Sequence, residues 1–394
     1  MTQQITKWAM IIFCTFSTIF LAKAQEMKPY QDELMSVNAG VIRDSFEIRL
    51  INRWKDCLVT ANNNPEKNAF WVADDFKKYK YPYRDIYGIS SKGGNEYFYK
   101  PTVLEILDTE IRYTYIVKTA FVGDDKTIKS IYNVLAQRDS PRTSPVFFKS
   151  ITDYNTRSWQ KMSVGNVNYI VHSTHTFDTV QAKKMDDFST HFADYFNTKP
   201  IQIKYYLCKG VKELYQIQGY DYLPIMYYSA TDKGGITRAE DATIYAGIDA
   251  ELYEHEAVHI YTYQKFQQNI HPFLDEGIAT YLGGSNGKFY ALVRQNLKAY
   301  LNEKPKIDFL SFIPNDIFKQ QGFSDANFSL PYAVSAVLCE IAIRKGGKDL
   351  LFQLLNQGNL EEDFWRCMKN LDITKENLLE KLMEELEKEP ILPQ

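Results

Sequence analysis

The sequence predicts an α+β protein of two domains, a small one with a helix and a curled sheet and a larger one that ends in a helical half. Three observations support this fold class. The chain has 394 residues, more than one small core requires. Hydrophobic residues make up 45% and charged residues 24%, as in ordinary folded proteins. A helical pattern gives way to alternating segments, and the pattern is almost wholly helical from Asp249 onward.

Residues 1–24 have the features of a secretory signal peptide. Lys7 provides a positive start, an apolar run follows at 8–21, and small residues occupy the two positions of 22–24 that signal peptidase reads. The alternative is a membrane anchor, but the run is short for a bilayer span. We therefore expect cleavage before Gln25 and an exported mature chain, periplasmic or extracellular, with no membrane span.

The charge of the chain argues against nucleic-acid binding, and the spacing of its cysteines argues against a cysteine-ligated metal site. The formal net charge of −3 offers no general attraction to nucleic acid, so we expect no nucleic-acid partner. Four cysteines follow the predicted cleavage site: Cys57, Cys208, Cys339 and Cys367. No pair of them has metal-ligand spacing, and we expect mostly free, buried thiols, with one disulfide bridge left open.

The expected first domain spans 25–150. Its predicted elements are helices at 31–60 and 70–79 and strands at 100–107, 111–121 and 129–137. A helix followed by a meander of long strands is similar in pattern to the nuclear transport factor 2-like (NTF2-like) and SnoaL-like folds, which implies a curled antiparallel sheet. Two prolines among small polar residues at 139–145 indicate the linker.

The expected second domain spans 151–394 and begins as a mixed sheet. Its predicted elements are strands at 167–172 and 201–207, a helix at 178–196 with Asp178 as N-cap, a short helix near Val211, extended segments at 223–229 and 242–246, and helices at 249–268, 274–282 and 330–344.

A His-Glu-Ala-Val-His motif at 255–259 predicts a catalytic metal site. Residues four apart share one face of a helix, so His255 and His259 can present ring nitrogens to one metal ion. Zinc (Zn²⁺) suits imidazole ligands, and a catalytic zinc keeps three protein ligands. Glu256, next to the first histidine, can serve as general base without binding the metal.

The segment at 273–282 reads Phe-Leu-Asp-Glu-Gly-Ile-Ala-Thr-Tyr-Leu and follows the helix breaker Pro272. Together with the motif at 255–259, it resembles the gluzincin zinc metallopeptidases, specifically the peptidase MA-like group. The resemblance is strongest over 250–285 and implies a zincin-type catalytic domain. It also implies that Glu276 is the third zinc ligand.

The third ligand has two alternatives. Glu276 follows His259 by 17 positions (276 − 259), a tighter connection than in the best-known gluzincins, so Asp275 and His271 remain candidates. Asp275 is expected instead to orient a ligand histidine. A metzincin site is excluded, because it would need Gly and His where this chain has Thr262 and Lys265.

Tyr332 is the second catalytic candidate. Peptidase MA-like proteins carry a similar tyrosine at the start of a helix that ends at a glycine break, and here Gly346-Gly347 supplies the break. The resemblance implies that Tyr332 donates a hydrogen bond to the oxyanion. Because tyrosine is abundant in this chain, packing in the core is the alternative.

Two further features of the second domain are a glycine pair and three histidines outside the motif. Gly234 and Gly235 precede the motif helix, where the resembling family has an edge strand that pairs with a peptide substrate; an ordinary turn is the alternative. His172, His175 and His191 have no partner at ligand spacing along the chain, and we expect them at the surface or in the core.

These residues predict an exported zinc metallopeptidase that acts on peptides or proteins. Glu256 would take a proton from the attacking water and return it to the leaving amine. A catalytically silent binding module with the same fold is the alternative, and hydrolysis of a non-peptide amide is a third hypothesis. The intact Glu256 favours the enzyme.

Overall fold

A computed structural model of the chain describes residues 35–38, 40–42, 44–61, 68–92, 98–139, 145–227, 232–304, 324–325 and 328–393. The predicted signal peptide and the middle of the predicted linker (140–144) lie outside these residues. The chain is α+β, as predicted. Among the described residues, no helix is both long enough and apolar enough to cross a bilayer.

The strands are β1 (Ser36–Val37), β2 (Tyr99–Asp108), β3 (Thr114–Gly123), β4 (Ile128–Gln137), β5 (Phe147–Lys149), β6 (Gln160–Val164), β7 (Val167–Val171), β8 (Ile203–Leu207), β9 (Tyr220–Tyr222), β10 (Gly234–Arg238), β11 (Thr243–Gly247), β12 (Ser324–Asp325) and β13 (Phe328–Ser329). The α-helices are α1 (Ser45–Ala61), α2 (Ala73–Lys78), α3 (Thr152–Asn155), α4 (Thr179–Tyr195), α5 (Val211–Ile217), α6 (Glu254–Phe266), α7 (Pro272–Gly283), α8 (Tyr290–Glu303), α9 (Leu330–Leu355), α10 (Glu361–Met368) and α11 (Leu378–Leu386).

The chain divides into two compact units. The first comprises the described parts of Met1–Val72, Tyr83–Lys129 and Leu135–Phe148. The second comprises Ala73–Pro82, Ser130–Val134 and the described parts of Lys149–Gln394.

In the first unit, β2 and β3 form a long antiparallel pair, and β1 pairs with β2 in parallel. Helix α1 packs through Trp54, whose indole N–H donates to the Thr119 hydroxyl at 2.9 Å. The predicted helix at 31–60 was too long, because Ser36–Val37 is a strand and α1 begins only at Ser45. Asp44 and Glu47 form the reciprocal cap that sets this start: the Asp44 carboxylate accepts from the Glu47 amide, and Glu47 accepts from the Asp44 amide.

The second unit contains a five-stranded mixed sheet in the order β10-β11-β8-β7-β6. The three central strands are parallel, and β10 and β6 pair antiparallel at the two edges. Elsewhere in this unit, β9 pairs with the central part of β4. The extended segment predicted at 223–229 is wrong in its first part, where Pro224–Tyr227 is a 3₁₀ helix.

Helices cover both faces of the five-stranded sheet. Buried side chains of α4 and α6, including Met185 and Ile260, pack on one face with alternate strand residues. Helix α5 packs on the other face through Val211, Leu214 and Ile217. Because the opposite side of α6 belongs to the core of α7 to α11, α6 is buried on nearly all sides.

A buried ionic network joins the last helices. The Glu340 carboxylate on α9 accepts from Arg294 on α8 at 2.8 Å and from Arg344 at 3.1 Å. It also accepts from the Ile391 amide, so the network holds the chain beyond α11. Helix α9 is kinked at the predicted glycine break, with non-helical backbone at Gly346 and Gly347. The four cysteines after position 25 are free and buried, as most of them were expected to be.

Candidate metal centre

Helix α6 carries three candidate residues. It begins at Glu254 after the loop that follows β11, and it contains neither Gly nor Pro. His255 and His259 lie one turn apart, with ring centroids 5.1 Å apart. His255 and Glu256 are buried, and the side chain of His259 is 12% exposed. The burial means that these polar groups need defined partners.

Helix α7 brings the acidic residues to the histidines. It begins at Pro272, a residue suited to a first helical position because that position needs no amide donor. His271 caps this helix, because its ring Nδ1 accepts from the Phe273 amide at 3.2 Å. The His271 ring therefore caps the start of α7 and is not part of the group formed by His255, His259 and Glu276. Glu276, on the first turn and a half, reaches both of them.

The orientation of His255 is set by a backbone carbonyl. Its ring Nδ1 lies 2.8 Å from the carbonyl oxygen of Gly284. A carbonyl only accepts, so Nδ1 carries the proton and Nε2 carries the lone pair. This contact requires the end of α7 to touch the start of α6. A side chain at Gly283 would prevent this approach, since an added Cβ would lie 2.5 Å from the backbone nitrogen of His255.

The orientation of His259 is set by Asp275. Its Nδ1 lies 2.9 Å from an oxygen of Asp275, whose other oxygen accepts from the Thr262 hydroxyl at 2.7 Å. Burial opposes ionisation of Asp275, but the charge and hydrogen bond of His259 lower its pKa, so it acts as an acceptor. Asp275 thus lies behind a histidine, as predicted, and His259 Nε2 is left facing Glu276.

The three remaining donor atoms converge. One Glu276 oxygen lies 3.1 Å from His255 Nε2 and 3.7 Å from His259 Nε2. Ligand atoms around a tetrahedral ion with bonds of about 2.0–2.1 Å lie about 3.3–3.4 Å apart, between these two distances. Burial disfavours a charged ring, yet Asp275 and Glu276 raise the pKa of His259 to about 10. The site therefore attracts a positive charge.

His255, His259 and Glu276 form a group that can hold a metal ion. The donor chemistry fits: two ring nitrogens with lone pairs face a carboxylate oxygen, and each ring has its other nitrogen held by an acceptor. Without a cation or an added proton between them, such atoms would repel one another.

Glu256 lies beside this group and is held by the neighbouring strand. Its Oε2 accepts from the Thr237 hydroxyl at 2.7 Å, and the same hydroxyl is 2.9 Å from the Glu256 carbonyl oxygen. Gly234 and Gly235 lie within β10, so the turn alternative is wrong. Gly235 lets the strand approach the helix, since an added Cβ would lie 2.8 Å from Glu256 Cγ.

Tyr332, at the start of α9, lies at the same site. Its ring stacks on His255 with centroids 5.8 Å apart and 10° between the planes. Burial, followed by the charges of Glu276 and Glu256 and a hydrogen bond to Glu276, raises the pKa of Tyr332 well above its usual value. The hydroxyl therefore keeps its proton. Helix α9 is held against α7 by Ser335, whose hydroxyl donates to the Phe273 carbonyl.

Three supporting contacts at the site were not among the predictions from sequence: Thr237 to Glu256, Gly284 to His255, and Thr262 to Asp275. Thr262 is at i+3 from His259 and could have been inferred from helical spacing. The other two contacts join segments whose proximity no local pattern indicates.

No family model matches this chain, and no curated protein compared with it is significantly similar.

Proposed function

We propose that this protein is a zinc-dependent metallopeptidase of the gluzincin type, similar to the peptidase MA-like group, with a zincin-type second unit. The observation that carries the proposal is the convergence of His255, His259 and Glu276, with Glu256 directly alongside. Two histidines one turn apart plus a carboxylate from a second helix are the ligand set of many catalytic zinc sites.

Zinc would be held by His255 Nε2, His259 Nε2 and Glu276, and when bound it would supply a Lewis acid that polarises a carbonyl and makes a water more acidic. Asp275 and the Gly284 carbonyl support this assignment, because each keeps a proton on the outer nitrogen of a ligand histidine.

Glu256 is the proposed general base. The Thr237 hydroxyl holds one of its oxygens at 2.7 Å, which leaves the other oxygen to take a proton from the attacking water. Glu256 would then return this proton to the leaving amine. Its position on the metal helix, one residue after His255, brings it near the ion without making it a ligand.

Tyr332 is the proposed oxyanion donor. A neutral hydroxyl is needed for this role, and the raised pKa of Tyr332 keeps it neutral. Its ring stacks on that of His255, which places the side chain beside a proposed zinc ligand.

Strand β10 is the proposed docking edge for substrate. It is an edge strand of its sheet among the described residues, and Thr237 within it contacts Glu256. An extended peptide that adds to such an edge pairs its backbone with the strand. Scissile bonds of an unfolded or extended chain would thereby run past Glu256.

Digestion of a peptide library, read by mass spectrometry, tests the proposed function. We expect cleavages that stop when a zinc chelator is added and resume when zinc is restored. The reason is that the side chains would bind zinc reversibly, and the proposed reaction needs the ion. Cleavage that continues in the chelator would contradict the proposal. Zinc binding without any cleavage would favour the silent binding module.

Tyr332→Phe should reduce kcat by about 10²–10³-fold, because it removes one oxyanion donor and leaves the ring in place. Zinc content and Tm should stay near those of the unmodified protein. Tyr281→Phe is a matched control, since the Tyr281 hydroxyl donates to the Ile391 carbonyl and not to the site. If Tyr332→Phe keeps full turnover, Tyr332 serves only in packing.

A further inference from the structure

A second cluster of metal-ligand side chains lies at the carboxyl ends of the parallel strands. His172 directly follows β7, and Asp249 lies two residues beyond β11. Strand β8 lies between them: the His172 amide donates to the Leu207 carbonyl and the Asp249 amide donates to the Cys208 carbonyl. The parallel strands therefore bring His172 and Asp249 to the same edge of the sheet.

The donor atoms of this cluster are close together. Asp249 Oδ1 lies 2.9 Å from His172 Nε2 and 2.9 Å from His175 Nδ1. Zinc with bonds of about 2.0–2.1 Å separates its ligand atoms by about 3.3–3.4 Å, so the atoms would have to move apart by about 0.4 Å. The Asp249 side chain is 44% exposed and has the freedom to make that movement.

In both His172 and His175, the ring nitrogen that does not contact Asp249 has a partner of its own. His175 Nε2 lies 2.8 Å from Glu251, a carboxylate that is almost fully buried. His172 Nδ1 lies 3.1 Å from the Thr174 hydroxyl. Metal-ligating histidines are typically oriented in this way, by a carboxylate or other polar group on the nitrogen that faces away from the ion.

The charge arrangement around His175 requires a cation. Both of its nitrogens face carboxylates, Glu251 on one side and Asp249 on the other. The contacting Glu251 oxygen also accepts from the Asp178 amide, so it is an acceptor. A neutral imidazole has one N–H, which Glu251 takes, and the lone pair of Nδ1 is then directed at the Asp249 carboxylate. A proton or a metal ion must lie between them.

The backbone of Asp249 lies in the left-handed region, with a φ of 58°. Aspartate and asparagine adopt this region more readily than most residues other than glycine. An Asp249→Asn variant is therefore compatible with the backbone at this position.

We propose that His172, His175 and Asp249 bind a divalent transition-metal ion such as zinc, at a site separate from His255, His259 and Glu276. The ligand set of two imidazoles and one carboxylate suits zinc, with water at the exposed fourth position. The ion would tie the end of β7 to the loop between β11 and α6, which the hydroxyls of Tyr169 and Tyr205 also hold.

The zinc content of dialysed protein, measured by mass spectrometry, tests this site in full-length chains. We expect about two zinc ions per chain, about one after His255→Ala with His259→Ala, and almost none when Asp249→Asn is added to that pair. Asparagine retains the shape of aspartate and tolerates the left-handed backbone, so the fold should survive, and circular dichroism checks this. His191→Ala, at an exposed histidine of α4, is the matched control and should retain both ions.

The melting temperature in the presence of zinc gives a second test beside the number of zinc ions per chain. Zinc added to the His255→Ala, His259→Ala chain should raise its Tm, because a ligand that binds only the folded state stabilises it, and Asp249→Asn should remove that rise. A folded His255→Ala, His259→Ala chain that holds no zinc would overturn the proposal and assign a proton to the position between His175 and Asp249. A second ion that persists after Asp249→Asn would also overturn it. Zinc lost only on Asp249→Asn would support this site and count against the one on α6.

Discussion

Glu256→Gln should lower peptide hydrolysis by about a hundredfold or more, or about 2.7 kcal/mol or more in activation free energy. The amide keeps the volume of the side chain and can still accept from Thr237, which now holds the carboxylate at 2.7 Å. It cannot take a proton from water. Steady-state kinetics on a peptide found in the library digest would measure the loss, with zinc content and Tm expected to stay near those of the unmodified protein.

Glu254→Gln is the matched control for this experiment. It makes the same chemical change on the same helix, but two residues away, where the side chain points to a different side of α6. We expect its activity to be nearly unchanged. Equal losses in the two variants would mean that any change on α6 disturbs the site, and would remove the assignment of Glu256 as base.

Glu276→Ala and His259→Ala should each remove about one zinc ion per chain, because two protein ligands hold a catalytic ion weakly. The Asp249→Asn background is the right one for this measurement, since it isolates the α6 site from the proposed second ion. Equilibrium dialysis with zinc, followed by metal analysis, gives the occupancy.

Asp275→Asn distinguishes a ligand from an orienting group in the same assay. It should keep the ion with an affinity weakened by about 10–100-fold, because Asp275 contacts His259 Nδ1 and not the donor nitrogen. If Asp275→Asn loses the ion while Glu276→Ala retains it, the third ligand is Asp275. If Glu256→Gln loses the ion while Glu276→Ala retains it, the roles of base and ligand are reversed.

Much of the secondary structure followed from local patterns. The strands predicted at 100–107 and 129–137 match β2 and β4 closely, and Asp178 caps α4, accepting from the Val180 and Gln181 amides. The errors also have local causes. The helical pattern of the sequence continues on the N-terminal side of α1, whereas the cap formed by Asp44 and Glu47 begins the helix at Ser45.

Which of Glu276, Asp275 and His271 faces the Nε2 atoms of the two motif histidines depends on how two helices meet. All three are near the start of α7, so spacing along the chain cannot separate them. In the structure, the His271 ring caps α7 and Asp275 contacts His259 Nδ1. Glu276 faces the Nε2 atoms of both motif histidines. The close contact that Gly283 permits between α7 and α6 sets this geometry.

The sequence by itself determined what lies within one or two turns of one helix. His255, Glu256 and His259 share a face because an α-helix repeats every 3.6 residues, whatever surrounds it. Only the tertiary structure decided which distant groups face them, such as Thr237, Gly284 and Tyr332, and which residues join His172 and His175. Asp249 lies 77 positions from His172 along the chain, and the two meet because their parallel strands end at the same edge of the sheet. Strand pairing over such separations depends on the packing of the whole unit, and no local pattern encodes it.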